Sequence, residues 1–184
     1  VFILTFLSKT KDRFLKMTAT PEDLFALFDK LGIEHSTVSH PPLFTVEEGR
    51  DWHDKIPGMH CKNLFMKDKK GKLWLIVMPG DKRAHLAKLE REIGSARLSF
   101  GKPALLEEVL GITPGSVTPF ALMNDKARNI TVVLDKDMME TNSINFHPLR
   151  NDASTTLKSD DLMLFVKHLG YSPLLADCGQ WAEG

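Results

Sequence analysis

The chain has 184 residues, 42% hydrophobic and 26% charged, which describes one folded domain with a sizeable core and excludes a disordered or fibrous chain. Twenty-four basic residues balance 24 acidic ones, so no global field draws in nucleic acid, and any grip on RNA or phosphate must be a local patch. Two cysteines, Cys61 and Cys178, are too few for a disulfide scaffold and form no CxxC pair with metal spacing, as expected of a cytoplasmic protein.

Residues 1–16, VFILTFLSKTKDRFLK, put an apolar run ahead of the basic residues. That is the reverse of a secretory signal, and the run is too short to span a bilayer. The stretch reads as an N-terminal extension ahead of a domain over residues 17–172, with a C-terminal tail at 173–184. Thr20-Pro21-Glu22-Asp23 offers a capping hydroxyl, a proline at the first helical position and first-turn carboxylates. Leu24, Leu27, Phe28 and Leu31 then recur at helical spacing up to Gly32, a good stop.

A short strand is expected over 33–40, ended by Pro41-Pro42, and Thr45-Val46-Glu47-Glu48 opens a short helix with a capping-box pattern. Apolar runs at 64–66 and 73–78 flank the basic turn 67–72 and predict a β-hairpin. Asp81 is placed to cap a helix through Leu86, Leu89 and Ile93, and another helix is expected from 105 to 110 before Gly111. ITVVLD (130–135) has the pattern of a buried strand, and 144–146 that of a shorter one. Ser159-Asp160-Asp161 caps a last helix carrying Leu162, Phe165, Val166 and Leu169, closed by Gly170, after which the tail is expected to be irregular. Strands and helices mix without strict alternation. The fold class is therefore α/β, a mixed curved sheet or partly closed barrel flanked by helices.

Four stretches bear residues suited to chemistry. Cys61 stands beside His60, but neighbouring side chains on an extended segment point to opposite faces. A half-buried strand cysteine then competes with a nucleophile and is the reading the pattern favours. The seven histidines show no HxxxH or HExxH spacing, so no metal is expected, and no other cofactor. Lys62 and Asn63 also face opposite ways unless a bulge turns one of them. Lysine supplies a point charge for a phosphate or carboxylate, and asparagine a donor and an acceptor. On spacing alone a solvated lysine ahead of a strand remains open, as does a solvated turn for Lys67, Lys69, Lys70 and Lys72. TPGSVTPF (113–120) is a proline-stiffened loop whose glycine permits close ligand approach, suited to holding an oxyanion or to serving as a rigid crossover. His147, restricted by Pro148, either orients a substrate or water or is a capped structural histidine; ASTTL (153–157) with Ser159 reads as turn and cap chemistry.

The order HPPLFTVEE (40–48), CKNLFMKDKKGKLWLIVMP (61–79), GITPGSVTPFALMND (111–125) and INFHPLRNDASTTL (144–157), then a DLMLFVKHLG helix, resembles the YbaK/prolyl-tRNA-editing family. Within it the match is closest to the freestanding ProX type, which is similar to the editing insertion of bacterial prolyl-tRNA synthetases. The resemblance covers residues 18–172. It implies a mixed α/β fold and a trans-editing hydrolase that deacylates mischarged alanyl-tRNA(Pro), with cysteinyl-tRNA(Pro) deacylation and a non-catalytic tRNA- or synthetase-binding module as the rivals. By the same resemblance Lys62, Asn63 and His147 are the catalytic candidates. Thr45, Gly115, Ser116, Val117, Thr118 and Pro119 are the substrate-binding ones. Cys61 stands where the family commonly has threonine, which argues against a thiol mechanism. The implied partner is the acceptor end of mischarged tRNA(Pro), with prolyl-tRNA synthetase as a candidate second partner and neither membrane nor DNA.

Overall fold

The computed structural model of the chain describes residues 18–42, 52 and 55–182. Helix α1 (Pro21–Leu31) forms where the capping signals put it: the Thr20 hydroxyl accepts from the Asp23 N–H, and the Asp23 carboxylate accepts from the Thr20 N–H. Gly32 ends the helix in the left-handed region. Strand β1 (His35–Ser39) follows. The hairpin is β2 (Met59–Asp68) and β3 (Leu73–Pro79), longer than its apolar runs because β2 begins five residues before Leu64. Then come β4 (Lys82–Ala84), α2 (Leu86–Ile93), β5 (Leu98–Phe100) and α3 (Pro103–Leu110). A 3₁₀ helix (Pro119–Asn124) leads to β6 (Ile130–Asp135) and α4 (Lys136–Met139). Strands β7 (Ile144–Phe146) and β8 (Ala153–Leu157) precede α5 (Ser159–His168), β9 (Leu174–Ala176) and β10 (Gly179–Trp181).

The sheet is mixed, in the order β1-β8-β7-β2-β3-β6-β9, with β5 added to the far end of β2. Pairs β2–β7, β3–β6 and β6–β9 are parallel; β1–β8, β7–β8, β2–β3 and β2–β5 are antiparallel. Alternation sorts the side chains into two cores. Phe65, Leu75, Val77, Val132 and Leu134 face the larger one, with Phe28, Phe120 and Phe165 from the helical elements. Met66, Trp74, Ile76, Met78 and Val133 face the smaller, closed by Leu89 of α2 and by Ala176 and Cys178. Every residue of β3 is buried, which is why LWLIVMP is a continuous apolar run. Among the described residues no helix is long and apolar enough to cross a membrane.

Several expectations are corrected. Asp81 does not cap α2; His85 does, its ring accepting from the Lys88 N–H, because residues 82–84 are already committed to β4. ASTTL is a strand: Thr155 sits opposite Thr37 with their hydroxyls 2.8 Å apart, a cross-strand pair that suits β-branched threonine. Ser159 is the first residue of α5, where the N-cap is Lys158, and its hydroxyl instead donates to the Thr141 carbonyl (2.5 Å). The described part of the tail forms two strands rather than an irregular segment. β9 extends the large sheet beside β6, and β10 pairs with β4 in a separate two-stranded sheet. The expected helix at Thr45 lies outside the described residues.

Candidate active site

Strands β2 and β7 pair over two positions, Met59 with Ile144 and His60 with Asn145. Beyond them β2 continues beside β3. Lys62 and His147 stand two residues further along each chain, where pairing has stopped. Lys62 is thus near the amino end of β2, and His147 directly follows the carboxyl end of β7.

Lys62 projects toward the smaller core, opposite Met78. Its ammonium donates to the Gly80 carbonyl (2.9 Å) and to the Lys82 carbonyl. Burial pulls its pKa below the ordinary lysine value, opposed by the charge of Asp81. Among the described residues no carboxylate forms an ion pair with it. An ammonium has three N–H donors, and two are committed to carbonyls. Among the described residues the third has no hydrogen-bond acceptor, which suits it to an anionic or ester oxygen.

Asn63 points to the other face, as strand alternation requires. Its Nδ2 donates to the Val117 carbonyl (2.9 Å), while its Oδ1 is buried and has no hydrogen-bond partner among the described residues. A buried acceptor without a donor is costly, so it marks a place for a ligand N–H or O–H. The loop it clamps is built for close approach: Gly115 has φ +88°, the Ser116 N–H closes a turn on the Thr113 carbonyl, and Thr118 and Pro119 are buried where the 3₁₀ helix begins. Val117 packs its side chain on the larger core.

His147 is half-buried, with Nδ1 2.8 Å from the Ala153 carbonyl. A carbonyl only accepts, so Nδ1 carries the hydrogen and Nε2 presents a lone pair. Burial first, opposed by the Ala153 bond, holds its pKa below the usual histidine value. The neutral ring is therefore the resting form at pH 7. Two residues on, Leu149 adopts φ +65°, a conformation that costs a non-glycine residue energy, with its N–H on the His147 carbonyl (2.9 Å). Because the folded pKa is depressed, this histidine supports stability fully above the unfolded value of about 6.5 and loses that contribution as pH falls through its folded pKa. The His147 ring resonances in an NMR pH titration are expected to move at lower pH than those of an unperturbed histidine; a midpoint at or above about 6.5 would contradict the burial.

Residue patterns alone missed His40 and Asn145. His40 is 7% exposed, with Nε2 2.9 Å from the Ser154 hydroxyl, Nδ1 2.8 Å from the Pro41 carbonyl, and its ring 5.9 Å from that of His147 and 5.5 Å from Trp52. A signal was present: His40 and His147 each precede a proline. Asn145 donates to the Pro57 carbonyl and accepts from Thr156, tying β7 to the segment before β2.

Cys61 faces the larger core and is half-buried, its thiol turned back to the Met59 carbonyl (3.5 Å), and burial pushes its pKa up. A nucleophilic thiol needs the opposite shift. Cys61→Ser is expected to keep most of the catalytic rate, within a few-fold in a hydrolysis assay, whereas a loss as deep as that of a catalytic residue would restore the thiol mechanism. Among the described residues no three His, Cys, Asp or Glu side chains gather as a metal site. The hairpin tip is exposed at Lys67, Lys69, Lys70 and Lys72, while Asp68 turns inward to the Lys70 and Lys72 N–H groups and the Trp74 indole. Thr45 lies outside the described residues.

A family model for the aminoacyl-tRNA editing domain matches residues 40–165. A prolyl-tRNA synthetase associated domain-containing protein 1 of Bos taurus is 37% identical over 150 residues, covering 79% of this chain and 87% of that protein. The prolyl-tRNA editing protein ProX of Acetoanaerobium sticklandii is 34% identical over 148 residues, covering 80% of this chain and 90% of that protein. A crystal structure described as a candidate trans-editing enzyme for prolyl-tRNA synthetase superposes with a TM-score of 0.65 at 20% identity, over 89% of this chain and 97% of that one, which bears on the fold alone.

Proposed function

The chain belongs to the aminoacyl-tRNA editing domain family, whose chemistry is ester hydrolysis of aminoacyl-tRNA, and on that premise we propose that it removes alanine from mischarged alanyl-tRNA(Pro) in trans. The observation that carries the reading is Lys62, a half-buried ammonium held by two backbone carbonyls and left without a carboxylate partner among the described residues. A cation fixed in that way suits the terminal phosphate or the ester of a 3′-aminoacyl adenosine. Asn63 Oδ1 takes an N–H or O–H of the amino acid or ribose. The loop Gly115, Ser116, Val117, Thr118, Pro119 holds the aminoacyl carbonyl through its backbone, and the neutral His147 offers Nε2 to orient substrate or water.

An aminoacyl ester is already activated, so positioning and stabilisation of the developing oxyanion are what hydrolysis needs. Alanine is a reasonable target on physical grounds. A proline-activating pocket rejects a smaller amino acid by only about 1–3 kcal/mol per missing methylene. A smaller hydrolytic pocket then admits alanine and excludes proline. The kinship with proteins named for prolyl-tRNA editing and for association with prolyl-tRNA synthetase supports tRNA(Pro) as the carrier and prolyl-tRNA synthetase as the source of the error.

The test is deacylation of alanyl-, cysteinyl- and prolyl-tRNA(Pro) side by side. Fast release of alanine with prolyl-tRNA left intact is the expected result. Preferential release of cysteine would move the substrate to the rival branch. Tight binding without release from any of them would mean a non-catalytic module.

A further inference from the structure

We propose that the C-terminal strand pair and the buried ion cluster around Lys82 form a clasp that positions the Lys62 ammonium, which makes Lys82 a positioning residue; this deepens the hydrolase reading and rests on it. Both carbonyls that hold Lys62 belong to residues 80–82, beyond the end of β3. One end of that segment is anchored by the Gly80 N–H on the His60 carbonyl (2.8 Å). The other end is β4, whose strand partner is β10, in the register Gly179 with Ala84, Gln180 with Arg83 and Trp181 with Lys82. The Ala182 N–H on the Asp81 carbonyl and the His85 N–H on the Cys178 carbonyl extend the same contact at both ends.

The Lys82 side chain explains why this short strand holds its place. It is 1% exposed and lies 3.0 Å from Asp135, 2.8 Å from Asp137 and 3.4 Å from Asp177. Burial opposes its charge, and the carboxylates outweigh burial, so its pKa is held above the ordinary lysine value. Asp135 also accepts from the Cys178 N–H, and the Trp181 indole donates to Asp137 while its ring lies 5.4 Å from the Lys82 ammonium. One buried cation thus ties β4, the end of β6, α4 and the C-terminal segment together. On the opposite side of the same residue its backbone carbonyl orients Lys62. The acids are spent on Lys82, and the Lys62 charge stays available to a ligand.

Gly179→Ala loosens the clasp without touching the site, since a Cβ at Gly179 would lie 2.1 Å from the Arg83 carbonyl oxygen, inside the β4–β10 pairing. Trp181→Ala is the milder second variant should the first not fold. In protein labelled with ¹³C at lysine Cε, with Lys62 assigned by the signal lost in Lys62→Ala, either variant is expected to relieve the burial of Lys62 and raise its titration midpoint toward the ordinary lysine value. An unchanged midpoint in a variant that folds would overturn the clasp. In turnover of alanyl-tRNA(Pro), kcat/KM is expected to fall by about ten- to a hundredfold in Gly179→Ala, the scale of a small displacement at a site. The double variant with Lys62→Ala should be no slower than Lys62→Ala alone; multiplied losses would mean that the tail acts on stability only. Failure of the unaltered chain to release any amino acid would sink the hydrolase reading, while the lysine titration still decides the position of Lys62.

Discussion

Lys62→Ala is expected to lower kcat/KM for aminoacyl-tRNA hydrolysis by at least about a hundredfold, the range seen when one fixed donor to a developing negative charge is removed. That corresponds to about 2.7 kcal/mol of transition-state stabilisation. The side chain is held at one end of β2 by two carbonyls, so its charge needs little rearrangement when substrate arrives. Lys62→Arg should not restore the rate, because a planar, forked guanidinium cannot reproduce a compact ammonium seated between the Gly80 and Lys82 carbonyls. The loss should fall on kcat if the contact forms mainly in the transition state and on KM if it is a uniform grip on phosphate. A fall of less than about fivefold would remove Lys62 from the mechanism, since the observed geometry leaves it no smaller part to play.

Phe28→Ala is the substitution expected to cost most in stability, about 3–5 kcal/mol. Phe28 is fully buried in α1 and meets Phe120 at 5.3 Å and Phe165 at 5.6 Å between ring centroids, both edge to face. Those two rings are themselves 5.5 Å apart, and Phe120 meets Phe146 of β7 at 5.6 Å. The ring of Phe28 is therefore the joint at which α1, the 3₁₀ helix and α5 pack against the sheet. A cavity there cannot close by moving one side chain. For a chain of this size the thermal midpoint should drop by roughly 6–20 °C. A shift of less than about 2 °C would show that the three-helix face is not the main store of stability.

Much of this architecture is legible from local signals, and the reasons are specific. Helix α1 announces itself through Thr20, Pro21 and Gly32, and β3 and β6 through runs of apolar residues that only strands buried on both faces require. The features that escaped are those created by distant partners. Residues 82–84 become a strand because residues 179–181 arrive beside them, and no local pattern around Asp81 encodes that meeting. ASTTL has the composition of a turn but the β-branched threonines of a strand, and pairing with His35–Ser39 decides the matter.

The site divides in the same way. Alternation alone put Lys62 and Asn63 on opposite faces, and the structure agrees. That Asn63 would hold the Val117 carbonyl, 54 residues away, and that Lys62 would be seated on the carbonyls of Gly80 and Lys82, are consequences of packing. His40 escaped notice because a histidine before two prolines looks like a strand terminator, and its neighbour His147 is reached only through the β1–β8–β7 order. The prominent Cys61, by contrast, is a core-facing side chain with its thiol held protonated by burial.

The most direct measurement is single-turnover hydrolysis of alanyl-tRNA(Pro) by the purified chain, followed by release of labelled alanine beside a prolyl-tRNA(Pro) control. A rate far above spontaneous ester hydrolysis, lost in Lys62→Ala and absent with prolyl-tRNA(Pro), is the predicted result. Alanine release no faster than in buffer, or prolyl-tRNA(Pro) cleaved as readily as alanyl-tRNA(Pro), would contradict it.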